Sequence, residues 1–285
     1  MFDSSQLAAY LERIGLATPR RPTLHALRRL HRAHHDALPY ENLDVQLGRR
    51  IRLDADSLFD KLVKRGRGGF CFEQNGLLAH VLEALGFDVR RVRGAVARKT
   101  EGDRNWLNHM PLLVRLREGE FLVDAGLGAG FADPLPLSEG SHRVGAFNFG
   151  LWRLDGGLWR CTLDPRIVDL SFDLDPAPRR AEDFAEKCLE LETSPESGFV
   201  KTLTVQRSGL NSVTVLRART LSVFDPTLPD GKSVHVLADQ TEFAELLTVD
   251  FGLSLDLADL ATLWSKAERQ HENKLAEDAR APSAS

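Results

Sequence analysis

Arg67-Gly68-Gly69-Phe70-Cys71-Phe72-Glu73-Gln74-Asn75 decides how the rest of the chain is read, because a glycine turn here delivers one cysteine to the first turn of a helix. Upstream, Leu58, Phe59, Leu62 and Val63 recur at the spacing of one helical face over residues 57–65, and Gly66 supplies a stop. Downstream, Leu77, Leu78, Val81, Leu82 and Leu85 repeat that spacing as far as Gly86. Cys71 therefore falls where unpaired N–H groups and the positive end of a helix dipole face its sulfur, a setting that favours the nucleophilic thiolate. Most free cysteines are small buried hydrophobes. Glycines on one side and a polar Glu-Gln-Asn run on the other are poor company for an inert core residue, but a nucleophile also needs a base.

Before this stretch the chain reads as helical. Ser4 or Ser5 caps a helix carrying Leu7, Tyr10, Leu11 and Ile14, which Gly15 ends. A second helix follows Pro22-Thr23 through Leu24, Leu27, Leu30 and Ala33, and it carries His25, His31, His34 and His35. His31 and His35 share a face one turn apart; with no third ligand or general-base glutamate at metalloprotease spacing, the reading is a solvated helix face and no metal site. Pro39 then breaks the helix and turns the chain extended. Glu41 and Asn42 either decorate the surface or reach inward to support Arg67 and the cysteine turn, and the sequence leaves both open.

From Phe87 the period changes to that of strands, with Val89, Val92, Ala95 and Val96 bounded by glycines. Residues 107–116 and 121–124 flank a turn at Glu118-Gly119, a hairpin signal that places Asp124 roughly opposite Leu113 and on the same face as His109. On that register His109 lies about four residues beyond Asp124, so the two meet only if Pro111 bends the strand. Gly126, Gly128 and Gly130 loosely follow a dinucleotide fingerprint, but Asp133-Pro134 and Pro136 stand where its helix should start. Residues 144–172 read as further hairpins that close a barrel, 183–191 as a short helix, and 202–206, 212–216 and 220–224 as strands before two final helices. The order of elements makes the expected fold class α+β, with helices first, antiparallel strands in the middle, mixed strands and helices after them and a disordered tail over 276–285.

Composition narrows the function. The chain has 285 residues, 42% hydrophobic and 27% charged, as in ordinary globular proteins. Its net charge of −4 argues against a general affinity for nucleic acid or anionic membrane. Cys71, Cys161 and Cys188 are too few and scattered for a disulfide framework or a zinc site, so they are read as reduced and the protein as cytoplasmic. Residues 1–5 lack the pattern of a signal peptide, and no apolar run approaches the roughly 20 residues that span a bilayer.

Cysteine chemistry requires a base for the thiol proton and an acid that holds the imidazole in one tautomer. Among nine histidines, His109 stands between strand signals and is followed by Asp124 on the same face. Together with Cys71 and the blocks Leu38-Pro39-Tyr40-Glu41-Asn42-Leu43, Asn108-His109-Met110, Asp124-Ala125-Gly126-Leu127-Gly128 and 193–199, these residues make the chain resemble the arylamine N-acetyltransferase family.

The resemblance implies a helical bundle over 1–86, an antiparallel β-barrel over 87–192 and an α/β lid over 193–275, and a cysteine-protease-like triad with Cys71 as nucleophile, His109 as base and Asp124 as its orienter. It also implies Arg67 and Glu41 as supports, an acceptor pocket at Tyr40, Phe72, Leu127 and Phe199, and acetyl-CoA as co-substrate with a small aromatic amine or hydrazine as acceptor. Leu127 stands where the family often has phenylalanine and Ala125 where valine is usual, which bears on the choice of arylamine. Gly126 and Gly128 are the expected backbone contacts to CoA. The competing readings are an amide synthase of the same architecture, a cysteine peptidase or transglutaminase, and a non-catalytic binding module.

Overall fold

Asp3, not the serines that follow it, caps the first helix: its carboxylate accepts the N–H groups of Ser5 and Gln6 at 2.8 Å, and the Gln6 side chain returns to the Asp3 N–H. The structure, a computed structural model, describes residues 2–280. The first unit comprises α1 (Ser4–Arg13), α2 (Leu24–Ala37), β1 (Tyr40–Glu41), α3 (Leu43–Gln46), α4 (Ala55–Phe59) and α5 (Cys71–Ala84). α4 continues into a wider π turn over Asp60–Lys64. Tyr10, Leu11, Leu27, Leu30, Leu62, Leu78 and Leu82 form the buried core between these helices.

The barrel comprises β2 (Asp88–Val96), α6 (Arg98–Glu101), β3 (Leu112–Leu116), β4 (Gly119–Val123), β5 (Leu135–Pro136), β6 (Gly140–Val144), β7 (Phe147–Arg153), β8 (Trp159–Thr162) and β9 (Ser171–Arg179). Its eight strands are ordered β5-β4-β3-β2-β9-β8-β7-β6, every pairing is antiparallel, and the sheet curls into a nearly closed barrel with β5 and β6 as its edges.

The β3–β4 register corrects the hairpin as read from sequence. Leu116 pairs with Gly119 and Leu112 with Val123, so the turn is Arg117-Glu118 and Asp124 falls across from Pro111, not Leu113. His109 is then only two residues beyond its facing position. The strand path is held there by the Gly94 N–H, which donates to the His109 carbonyl at 2.8 Å. A side chain at Gly94 would have its Cβ 2.8 Å from the Pro111 ring and 3.1 Å from the His109 Cβ, so glycine is required for this approach.

The third unit comprises α7 (Ala185–Thr193), α8 (Gly198–Lys201), β10 (Thr204–Ser208), β11 (Val213–Arg217), β12 (Thr220–Phe224), β13 (Lys232–Val236), α9 (Gln240–Glu245) and α10 (Leu257–Arg280). Its sheet has two strands that sequence reasoning did not supply. β13 forms one edge, and β1 forms the other by pairing Tyr40 with Gln206 and Glu41 with Val205. A boundary at 193 therefore divides units whose shared sheet starts in the helical segment. α10 is helical through Arg280, so the tail expected from 276 is ordered that far, and residues 281–285 lie outside the described residues.

Asn42 couples the lid to the first unit. Its side-chain amide donates to the carbonyls of Phe199 and Thr202 at 2.9 and 2.8 Å, and its Oδ1 accepts the Thr204 N–H at 2.8 Å. Asn42→Ala strips the Thr202 carbonyl and the Thr204 N–H of these bonds, while the Phe199 carbonyl keeps the Gln46 side chain as donor, and is expected to cost about 2–3 kcal/mol of stability. The check is a fall in the urea midpoint with an unchanged m-value.

Candidate active site

The head of α5 and the end of β4 meet edge to edge. Cys71 opens α5, and its Sγ hydrogen bond goes to the carbonyl oxygen of Asn108 at 3.8 Å, one residue from the ring of His109. His109 Nε2 lies 2.6 Å from Asp124 Oδ2, with both residues buried. This bond engages Nε2, and the sulfur's hydrogen bond is to the Asn108 carbonyl and not to the ring. Asp124 Oδ1 accepts from Asn75 Nδ2 and the Gly126 N–H, both at 2.8 Å, and Asn75 Oδ1 accepts the Ala125 N–H at 2.8 Å. Phe172 packs edge-on against the His109 ring at 5.3 Å between centroids. Carboxylate and imidazole are thus held from several sides.

Burial governs the proton affinities. It pushes the Cys71 thiol well above its ordinary value, helped by Cys188 and the charge on Asp124, and the Phe72 N–H offsets this only in part. The expectation that the helix terminus alone would yield a thiolate is corrected, because desolvation outweighs the dipole at a fully buried sulfur. Burial raises the Asp124 carboxyl too, but His109, Asn75 and the Gly126 N–H outweigh it and hold Asp124 below the ordinary carboxylate range.

A buried ion cluster lies behind the cysteine turn. Arg67 reaches Glu41 at 2.9 Å and Asp44 at 3.1 Å, while Lys61 reaches Asp44 at 2.9 Å and Glu73 at 2.8 Å. Glu73 also accepts the Phe70 N–H at 3.1 Å, and Glu41 accepts the Leu43 N–H at 2.6 Å. Arg67 and Glu41 therefore meet as expected, and Glu41 points inward. Three carboxylates face two cations, and burial raises Glu73 to about 7.

Of the expected pocket residues, Phe72 is fully buried, edge-on to Phe70 and beside Phe184, while half-buried Phe199 packs on Phe70 at 5.2 Å. Tyr40 lies on the lid edge near Gly128. Leu127 lines a cleft of about 480 Å³ between barrel and lid whose apolar middle includes Leu163, Ile167 and Val215 and whose rim carries Arg217, Lys232, His271 and Lys274. Gly126 and Gly128 have other tasks than those expected. A Cβ at 126 would stand 2.8 Å from the Cys71 Cα and carbonyl oxygen, and the Gly126 N–H is engaged by Asp124. Gly128 has φ +65° against Gln206 and Tyr40, and its carbonyl accepts Ser208 Oγ.

Sequence reasoning gave no role to Asp44, Lys61, Gln74 or Asn75 and read the histidines of α2 as a solvated face. His31, His34 and His35 are buried, not solvated. The signal for Gln74 and Asn75 was the polar run that breaks the apolar face of α5. For the histidines it was the spacing, since Leu27, Leu30, His31 and His34 share one face. Among the described residues no group of three or more His, Cys, Asp or Glu side chains is arranged to hold a metal ion.

A cysteine at a helix head beside a buried imidazole–carboxylate pair, between a helical unit and a barrel, defines an acyl-transfer class of fold. The family model described as N-acetyltransferase matches residues 23–260. The chain belongs to the arylamine N-acetyltransferase family and is an acyltransferase by that membership. It is 34% identical over 267 residues to an arylamine N-acetyltransferase of Mycolicibacterium smegmatis, covering 90% of this chain and 94% of that one. It is 42% identical over 125 residues to an arylamine N-acetyltransferase / N-hydroxyarylamine O-acetyltransferase of Salmonella typhimurium, covering 44% of each. The Mycobacterium marinum arylamine N-acetyltransferase, solved in complex with CoA, superimposes with TM-score 0.82 at 29% identity over 92% of this chain and 98% of that one. Among the described residues no helix is long and apolar enough to cross a membrane.

Two predictions follow from the buried charges. Lys61→Met strips Asp44 and Glu73 of their shared cation and is expected to cost about 3–5 kcal/mol, read by denaturant unfolding. The second concerns acid. Burial lowers His31 to about 4 and His34 and His35 to about 3, so the unfolded chain takes up three protons near pH 6.5 that the folded chain refuses. Stability is full above pH 6.5 and falls below it, while Glu73, titrating near 7 when folded, opposes this by one proton. The net two protons approach a loss of about 2.7 kcal/mol per pH unit between pH 6 and 5, to be measured as unfolding free energy against pH.

Proposed function

We propose that the protein transfers an acetyl group from acetyl-CoA to the nitrogen of arylamines or arylhydrazines, and to the oxygen of N-hydroxyarylamines, through an acetylated Cys71. The observation that carries this reading is the buried His109–Asp124 pair, 2.6 Å between nitrogen and oxygen, directly beside the head of the cysteine helix. Because burial favours the protonated thiol, Cys71 passes its proton to His109 Nδ1, and the sulfur attacks the thioester carbonyl. Backbone N–H groups at the start of α5 steady the oxyanion. The C–S bond to CoA breaks, and His109 returns the proton to the departing sulfur. The amine then attacks the acetyl-cysteine carbonyl, His109 takes the amine proton, and the Cys71 sulfur leaves and is reprotonated. Arylamines suit this step because their nitrogen is neutral at pH 7.

Asp124 keeps the Nε2 proton in place and stabilises the imidazolium. The cleft is the place for the donor: its apolar middle matches a pantetheine arm, and Arg217, Lys232, His271 and Lys274 match the phosphates. Tyr40, Phe72, Leu127 and Phe199 form the wall for the acceptor ring. Three buried free thiols suit a reducing, cytoplasmic setting.

Incubation with acetyl-CoA in the absence of acceptor is expected to leave one acetyl group on Cys71 by intact mass, and Cys71→Ala to leave none. Initial rates with both substrates varied are expected to give parallel double-reciprocal lines. Asp124→Asn is expected to lower kcat by about 10³–10⁴-fold. An unmodified mass with donor present, or intersecting lines, overturns the mechanism.

A further inference from the structure

We propose that His31 is a positioning residue: it fixes the main chain at Asp124 through a buried hydrogen bond and thereby holds the carboxylate against His109. The inference rests on the triad reading above. His31 Nε2 accepts the Asp124 N–H at 3.2 Å from the floor of the site, and His31 is fully buried. Every other polar group of the 124–126 segment named so far already has its partner. Oδ2 is held by His109, Oδ1 by Asn75 and the Gly126 N–H, and the Ala125 N–H by Asn75. The Asp124 N–H is the remaining handle, and α2 supplies the acceptor for it.

An accepting Nε2 places the proton of the neutral ring on Nδ1, which has no hydrogen-bond partner. A leucine or phenylalanine would fill this space but leave the buried Asp124 N–H without its acceptor, so the imidazole is accounted for by its bond to Asp124. The groups around it keep the ring neutral. His35 stands edge-on at 4.6 Å between centroids on the same helix, and His34 lies one turn on. From the barrel side come the Asp124 carboxylate, the stacked ring of Phe131 at 6.1 Å and the Ala132 carbonyl. The Arg32–Asp133 ion pair, adjacent in the chain to both His31 and Ala132, lies at the rim. Burial lowers His31 to about 4, against the pull of Asp124. A protonated ring would set donor against donor at the Asp124 N–H.

His34 anchors the other half of the site in the same way. Its Nε2 donates to Gln74 Oε1 at 2.7 Å, its Nδ1 accepts from the Tyr10 hydroxyl at 2.8 Å, and Gln74 donates to the Pro39 carbonyl at 2.8 Å. One helix thus grips both the cysteine helix and the aspartate segment.

The test uses the full chain and the rate of Cys71 alkylation by iodoacetamide at pH 7, which reports proton transfer from sulfur to His109 with neither donor nor acceptor present. Three variants are compared, with melting temperatures measured alongside. His31→Gln places an amide oxygen where Nε2 sits, His31→Asn is polar but too short to reach, and His31→Leu removes the acceptor. The expected result is a rate for Gln within about 3-fold of the parent, with Asn and Leu about 10²-fold slower, the size of effect that a displaced reacting group produces. If Leu does not fold, Asn against Gln carries the comparison. Equal rates across the folded variants, or Gln falling as far as Asn, overturn the inference. A parent that alkylates no faster than His109→Ala instead overturns the triad reading on which it rests.

Discussion

The five-charge cluster of Glu41, Asp44, Lys61, Arg67 and Glu73 is the constraint on which the rest depends. Each member comes from a different local element: β1, α3, the π turn, the glycine turn and the first turn of α5. A buried charge without a partner is strongly unfavourable, so the ion pairs tie the five segments to one another, although Asp44 Oδ1 and Arg67 Nε make no hydrogen bond. The cluster's main value is specificity of arrangement, because a hydrophobic cluster of the same volume would tolerate sliding. Glu73 links the cluster to the chemistry, since the carboxylate that meets Lys61 also caps the Phe70 N–H immediately before Cys71. Glu41 links it to the lid, since the two residues of β1 open the sheet in which β10 pairs.

From that anchor the site follows by close backbone approach. Gly68 sits against Pro39, where a Cβ would come 2.0 Å from the carbonyl oxygen, and Gly126 sits against Cys71. These contacts bring the cysteine helix, the β1 segment and the end of β4 closer than side chains would permit. Asn75 then bridges the gap with both ends of its amide, donating to Asp124 and accepting from Ala125. One turn after the nucleophile position, α5 therefore carries the group that aligns the acid. The separation between sulfur and carboxylate is set by a single rigid element and not by loops.

The His109–Asp124 and Arg67–Glu41 pairs were legible because they sit in short blocks whose residue types have few other uses. The hairpin was legible in outline, but its register was not, because Glu118-Gly119 and Arg117-Glu118 are both acceptable turns and only the ladder distinguishes them. β13 escaped notice because Lys232–Val236 is exposed throughout and shows no buried face to read. β1 is two residues long, too short for any period. Lys61 is hidden between Phe59 and Leu62, and its partners are 12 and 17 residues away. The histidines were misread because a helical face of Leu, Leu, His, His looks half polar. A neutral imidazole with its nitrogens matched packs as well as an apolar ring, and only the partners reveal which case holds.

A nucleophile this deeply buried carries a physical tension. Desolvation lifts the Cys71 thiol, so a standing thiolate is disfavoured. The same exclusion of water strengthens the His109–Asp124 bond and deepens the stabilisation that Asp124 offers an imidazolium. The two effects oppose each other at the sulfur and reinforce each other at the ring. On the proposed mechanism the proton therefore passes between neighbours and not out to solvent. On that reading, burial keeps water from the sulfur. It also makes reactivity depend on the alignment of the three groups, which explains why the chain invests so many buried polar contacts in holding Asp124.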